Sequence, residues 1–69
     1  MEDRFAITGE YIEMNKLLKA SGLCDTGGMA KAVIEEGRVA VDGAVEMRVR
    51  CKIRPGQQVA FQGHVIHVE

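Results

Sequence analysis

The apolar residues in the first half of the chain recur at the spacing of amphipathic helices. A helix that begins at Glu10 would gather its apolar side chains on one stripe, whereas Asn15 is a good N-cap for a shorter helix. We favour the shorter helix, and Ser21-Gly22 predicts where it stops. The apolar stripe of the longer alternative consists of Tyr11, Met14, Leu17 and Leu18.

A second helix is predicted between a capping residue and a glycine. Asp25 or Thr26 can accept hydrogen bonds from the first free N–H groups, and Gly37 marks the end. Its apolar positions, which have helical spacing, are Ala30, Val33 and Ile34.

The remaining segments show strand and turn patterns. Asp42-Gly43 stands between two short runs of Val and Ala and predicts a two-residue hairpin turn, because both residue types accept positive φ. Arg54-Pro55-Gly56-Gln57 fits a type II turn. Gly63-His64 predicts the turn of a second hairpin, and Phe5-Ala6-Ile7 predicts a short strand. The predicted fold is α+β, with two short helices packed on a small, mainly antiparallel sheet.

The segment from Met47 to Pro55 alternates between apolar and cationic residues. In an extended backbone one face would enter the core and the other would form a cationic row, because side chains alternate along a strand. The inward set is Met47, Val49, Cys51 and Ile53, and the outward set is Arg48, Arg50, Lys52 and Arg54. An alternative reading is an edge row that prevents strand-to-strand aggregation.

Composition and charge narrow the function classes. The chain has 69 residues, of which 46% are apolar, 28% charged and only 4% aromatic, so we expect one small domain over residues 1–69 and no large catalytic cleft. The formal net charge is −1, but residues 1–37 carry −3 and residues 38–69 carry +2. The positive excess therefore falls on the alternating segment. The apolar runs are too short for a membrane span, and no secretory signal is visible, so we expect a cytoplasmic protein.

The sequence offers little for metal, cofactor or enzyme chemistry. Cys24 and Cys51 lack zinc or redox spacing and are read as reduced thiols. His64 and His67 are three residues apart in a predicted strand, which points them to opposite faces. We therefore expect no metal, no cofactor and no catalytic residues. A small catalytic thiol protein is the remaining enzymatic alternative, and it would require a reactive Cys24 or Cys51.

Two glycines lead into the second predicted helix. Gly27 and Gly28 remove side-chain bulk where the first N–H groups and the helix dipole favour a phosphate, and Lys31 would add a cation about one turn further. The order of residues is not that of a nucleotide-binding P-loop. An ordinary Asp or Thr cap with a flexible entry is the alternative.

The order of these features resembles the S-four RNA-binding domain, the αL motif named after small-subunit ribosomal protein four. The resemblance covers residues 11–61 and is greatest to the small, stand-alone, YbcJ-like, ribosome-associated branch. The residues that carry it are Asn15 to Lys19, Gly22-Leu23, Thr26 to Lys31, Gly37 to Gly43, Glu46 to Arg48, and Cys51 to Gly56. It implies RNA contacts from Asn15, Thr26, Gly27, Gly28, Lys31, Arg38, Arg48, Arg50 and Lys52.

We therefore expect non-catalytic binding of structured RNA, with ribosomal RNA or a ribosome-linked RNA as partner and ribosomal proteins as possible further partners. The protein is expected to be a monomer that does not contact membranes. The alternative is an adaptor that docks an acidic protein through the basic strand. The RNA reading requires the glycine-led helix end and the cationic row to lie side by side, with guanidinium groups free of the chain's own carboxylates. Whether Lys16, Lys19 and Arg54 join this surface is left open.

Overall fold

The first helix, α1, spans Met14–Ala20 in the computed structural model, which describes residues 2–69. The prediction that Asn15 is its N-cap is wrong, because the N-cap is Glu13 and Asn15 is already helical. Glu13 makes no side-chain capping bond, and the first turn is satisfied from elsewhere in the chain. The predicted stop is confirmed: Ser21 is the C-cap, and Gly22 follows with φ of 84°.

The second helix, α2, spans Gly27–Glu35 and is capped as predicted. The Thr26 hydroxyl, rather than Asp25, accepts a hydrogen bond of 3.1 Å from the Met29 N–H. At the other end Gly37 adopts φ of 75°, and the Arg38 N–H donates to the Val33 carbonyl in the pattern of a Schellman motif.

Seven short strands complete the fold within residues 2–69. They are β1 (Glu2–Phe5), β2 (Ile12–Glu13), β3 (Val39–Val41), β4 (Ala44–Val45), β5 (Lys52–Ile53), β6 (Gln58–Phe61) and β7 (His64–Val68). Five of them form one sheet in the order β1-β7-β6-β3-β4, and β2 pairs with β5 in a second sheet. All neighbours are antiparallel except β1 and β7, which are parallel. The predicted fold class is confirmed.

The turns agree with the sequence in two cases and differ in one. Asp42 and Gly43 have φ of 50° and 85° and join β3 to β4. The turn at residues 54–57 is also confirmed, with a 3.1 Å bond from the Gln57 N–H to the Arg54 carbonyl. The second hairpin turns at Gln62 and Gly63, so the prediction of Gly63-His64 is wrong by one residue and His64 begins β7.

Two strand predictions need correction. The strand predicted at residues 5–7 is β1, which spans Glu2–Phe5 because its partner β7 pairs with those residues. The alternating segment is a strand only at Lys52–Ile53, because residues 49–50 form a turn. Met47 was predicted to enter the core but is 56% exposed, since it precedes that turn and lies outside any strand. Val49, Cys51 and Ile53 do face the core.

The core lies between the two helices and the inner face of the five-stranded sheet, and it is almost entirely aliphatic. Its largest fully buried side chains are Phe61, Met14, Leu17, Leu18, Ile34, Ile53 and Ile66. Across residues 2–69 no helix has the length and apolarity required to cross a membrane. Within the same residues no cluster of His, Cys, Asp or Glu is arranged to hold a metal ion.

Candidate nucleic-acid interface

The backbone of the basic segment, defined as residues 48–54, is fixed to the amino end of α1. The Met14 N–H donates to the Cys51 carbonyl at 2.9 Å, and the Asn15 N–H donates to the Val49 carbonyl at 3.1 Å. These donors belong to the first helical turn, where N–H groups have no partner within the helix. The segment thus takes the place of a side-chain cap, and the helix holds the segment in position.

Four cationic side chains project from this backbone into solvent. Arg48, Arg50, Lys52 and Arg54 are all exposed, and together with Cys51 they line a shallow groove of about 520 Å³, here called the basic groove. Although the segment is not one strand, apolar and cationic residues still alternate from 49 to 54. Clustered cations of this kind attract the phosphates of a nucleic acid.

Arg48 differs from the other three cations because it is paired within the chain. Both oxygens of Glu46 accept from its guanidinium, with Nε and Nη2 each at 3.0 Å, and the Arg48 backbone N–H also donates to Glu46 Oε2 at 3.0 Å. The side-chain bonds from Arg48 are the main cause that lowers the pKa of Glu46 from 4.5 to about 2. The carboxylate therefore stays charged and offsets Arg48 at neutral pH.

The other three cations of the groove carry uncompensated charge. Among residues 2–69 no carboxylate lies within 4.0 Å of the charged nitrogens of Arg50, Lys52 or Arg54. The expectation that the guanidinium groups are free of internal carboxylates therefore holds for Arg50 and fails for Arg48. Arg54, which the sequence left open, lines the same groove.

Tyr11 also belongs to this surface, and sequence reasoning did not include it. Lys52 Nζ lies 4.9 Å from the centre of its ring, and Arg54 Cζ lies 5.9 Å away. Both distances are in the range of cation–π contacts. The pairing of Ile12 with Ile53 brings Tyr11 beside the basic segment. No local pattern signals this contact, because it joins residues that are far apart in the sequence.

The amino end of α2, which the sequence suggested as an anion site, is capped by Thr26 and leaves backbone N–H groups without a partner inside the helix. Thr26 caps the Met29 N–H, and the N–H groups of Gly27 and Gly28 precede the first bonds that the helix can make internally. A Cβ at Gly27 would meet nothing within 4 Å, and one at Gly28 would meet only the Thr26 hydroxyl, at 3.9 Å. Lys31 is exposed on the same helix. The helix packs on α1, and the amino end of α1 holds the basic segment.

Two other residues implied by the family resemblance lie apart from the groove lining. The Asn15 side-chain oxygen is buried and has no hydrogen-bond partner among the residues that the structure describes. Arg38 pairs with Glu36 at 3.4 Å and lines a different depression, beside Val45 and Ala60. The structure therefore does not bring Arg38 into the basic groove, and its guanidinium does not meet the requirement of being unpaired.

The remaining lysines of α1 differ from each other. Lys16 Nζ lies 3.4 Å from a Glu13 carboxylate oxygen, although its side chain is 71% exposed. Lys19 is also exposed, and among the described residues it has no carboxylate partner. Neither lysine lines the basic groove.

The two cysteines are poorly suited to nucleophilic chemistry. Cys24 is buried, which raises the pKa of its thiol, and Asp25 raises it further. Burial is also the main cause that raises the pKa of Cys51, followed by the charge of Glu46. Both residues are therefore protonated at neutral pH, and the thiol is much less nucleophilic than the thiolate.

Comparison with known proteins identifies the family. The family model described as the S4 domain matches residues 5–69, so the chain belongs to the S4 domain family. The protein YbcJ of Escherichia coli (strain K12) is 52% identical over 58 residues, which are 84% of this chain and 83% of YbcJ. YbcJ of Shigella flexneri matches to the same extent. The resemblance seen in the sequence is confirmed.

A solved relative has the same architecture. The solution structure of YbcJ from E. coli matches with a TM-score of 0.73 and 47% identity, covering 94% of this chain and 84% of the YbcJ chain. That structure is described as revealing an αL motif involved in RNA binding.

Proposed function

We propose that this chain binds structured RNA, ribosomal or linked to the ribosome, and performs no catalytic step of its own. The observation that carries the proposal is the basic groove, in which four exposed cations project from a backbone tied to α1. Three of them have no carboxylate partner within residues 2–69. Membership of the S4 domain family and the RNA-binding description of YbcJ support the same function.

The proposed contacts are mainly with phosphates. Clustered cations gain binding free energy from the phosphates of a polyanion. A-form RNA presents phosphates and hydroxyls more readily than base edges. Arg48 is expected to contribute less net charge than Arg50 and Lys52, because Glu46 remains beside it. The full set of proposed contacts is Asn15, Thr26, Gly27, Gly28, Lys31, Arg38, Arg48, Arg50, Lys52 and Arg54. Within this set Arg38 lies outside the basic groove and would have to leave Glu36 to bind a phosphate.

The proposal has further parts that concern the whole protein. The chain acts as a single RNA-binding domain over residues 1–69. It works as a monomer in the cytoplasm, and its partners are ribosomal RNA and neighbouring ribosomal proteins. The amino end of α2 and the basic groove form one continuous RNA surface, in which the N–H groups of Gly27 and Gly28 receive a phosphate next to those held by the groove.

The test is RNA affinity measured by fluorescence anisotropy over a salt series, with labelled hairpin fragments of ribosomal RNA. Neutralisation of about four phosphates gives a log–log slope of roughly −3 to −4. The double variant Arg50→Gln, Lys52→Gln should lower the magnitude of the slope by roughly 1.4 to 1.8, because two cations are removed. Arg4→Gln, which removes a cation on β1 outside the proposed site, is the matched control and should leave the slope unchanged.

Two results would contradict the electrostatic account. One is an affinity that does not respond to salt, and the other is unchanged affinity in a folded Arg48→Glu, Arg50→Glu, Lys52→Glu variant. Pull-down with and without nuclease separates the alternative of a protein adaptor, because an acidic protein partner should remain bound after the RNA has been digested.

A further inference from the structure

Tyr11 contacts cations of the basic groove and also lines a separate depression, which is not the one beside Arg38. The depression has a volume of about 300 Å³ and is lined by residues 5–8 together with Tyr11 and Ile12. This volume is at the lower end of the range for small-molecule sites, which suits a single planar group. Lys52 and Arg54 contact the Tyr11 ring but do not line the depression. Tyr11 itself lines it, so part of this residue is open to the depression.

The exposure of Tyr11 is not explained by the core. Tyr11 is 40% exposed, whereas Phe61 is 2% exposed and belongs to the core. Lys52 and Arg54 alternate with the buried Ile53 and therefore leave the segment on one side, next to the ring. An exposed aromatic ring adjacent to two cations is the combination that nucleic-acid proteins use to stack a base while holding its phosphate.

We propose that the Tyr11 ring stacks on one unpaired base of the bound RNA, with the phosphate beside that base held by Lys52 and Arg54. This inference rests on the proposed RNA binding and deepens it, because it specifies RNA with an unpaired nucleotide, such as a bulge or a strand end, next to a duplex. The base occupies the depression lined by residues 5–8 together with Tyr11 and Ile12, and Thr8 is the polar residue within that stretch.

The test uses two probes that differ only at the proposed contact. One is a fully paired short RNA hairpin, and the other is the same hairpin with a single bulged 2-aminopurine. We expect the wild-type protein to bind the bulged hairpin more tightly and to quench the fluorescence of the bulged base. Tyr11→Leu keeps apolar bulk and removes the ring, and it should weaken binding of the bulged hairpin by roughly 5- to 100-fold. Tyr11→Phe should retain both binding and quenching.

The outcomes separate this inference from the proposed function. If Tyr11→Leu loses the preference for the bulged hairpin and still binds the paired one at wild-type affinity, the stacking role is supported. If wild type and Tyr11→Leu bind both hairpins equally, with salt-dependent affinity, the inference is overturned and RNA binding stands. If the wild-type protein binds neither hairpin, nor any ribosomal RNA fragment, both proposals fail. Circular dichroism of Tyr11→Leu checks that the variant folds.

Discussion

Replacement of the glycines that open α2 should move stability and RNA affinity in opposite directions. Gly27 and Gly28 have no positive φ, and a Cβ at either position meets no contact closer than 3.9 Å. The fold therefore does not require glycine here. Because alanine restricts the unfolded chain more than glycine does, each Gly→Ala change should stabilise the protein by about 0.4–1 kcal/mol.

This gain is large enough to measure in a domain of this size. For a chain of 60 to 100 residues, 1 kcal/mol shifts Tm by roughly 4–8 °C, so each variant should melt about 2–8 °C higher than wild type. RNA affinity should fall, because a methyl group at Gly27 or Gly28 stands where the phosphate is proposed to approach the backbone N–H groups. Thermal melting followed by circular dichroism and anisotropy with a ribosomal RNA hairpin measure the two effects.

The matched control is Ala32→Gly, an exposed position in the same helix but away from its amino end. It should lower stability by about 0.5–1 kcal/mol and leave RNA affinity unchanged. A lower Tm for Gly28→Ala would refute the conformational argument. A higher Tm with unchanged RNA affinity would show that the amino end of α2 is not a phosphate site.

Two further predictions concern side chains that organise the site. Because the folded-state pKa of Glu46 is lowered from 4.5 to about 2, its contribution to stability is present above pH 4.5 and is lost as the pH falls towards 2. Glu46→Gln should therefore melt below wild type at neutral pH, and the difference should shrink below pH 4.5 and disappear only below about pH 2. A difference that does not change with pH would contradict this. Thr26→Ala removes the acceptor of the Met29 N–H and should cost about 1 kcal/mol in chemical denaturation, whereas Thr26→Ser should restore most of it. Equal stability of Thr26→Ala and wild type would contradict that role.

The elements that were predicted correctly are those whose cause is local. Asp42-Gly43 turns because two adjacent residues accept positive φ, and Thr26 caps α2 because its hydroxyl reaches a backbone N–H three residues later. Such signals lie within a few residues of each other, so a single sequence displays them. The resemblance to the S-four domain then supplied what these local signals could not, namely that the helices and hairpin form one motif.

The errors arise from contacts between distant parts of the chain. Asn15 has the residue type of an N-cap, but the first turn of α1 is satisfied by the carbonyls of Val49 and Cys51. The same two bonds explain why the alternating segment is not one strand, since carbonyls directed at a helix are not available to a neighbouring strand. Periodicity predicted correctly that its cations face solvent but not how its backbone is held.

The electrostatic site was only partly visible in the sequence. Counting charges identified the four cations of the basic segment, but it did not show that Glu46 would pair with Arg48 and that Arg50 would find no carboxylate in the described part of the chain. Tyr11 was missed because its neighbours Lys52 and Arg54 reach it through the pairing of β2 with β5.

The parallel pairing of β1 with β7 makes completion of the fold depend on a strand that is made some sixty residues after the first. Glu2–Phe5 align with Val65–Val68, and the Ile7 N–H donates to the Glu69 carbonyl at 2.9 Å. During synthesis the first strand therefore has no partner until the ribosome has added residues 65–68. We expect the helices and the β3–β4 hairpin, whose contacts are local, to form earlier, and closure of β1 onto β7 to be the final step of folding.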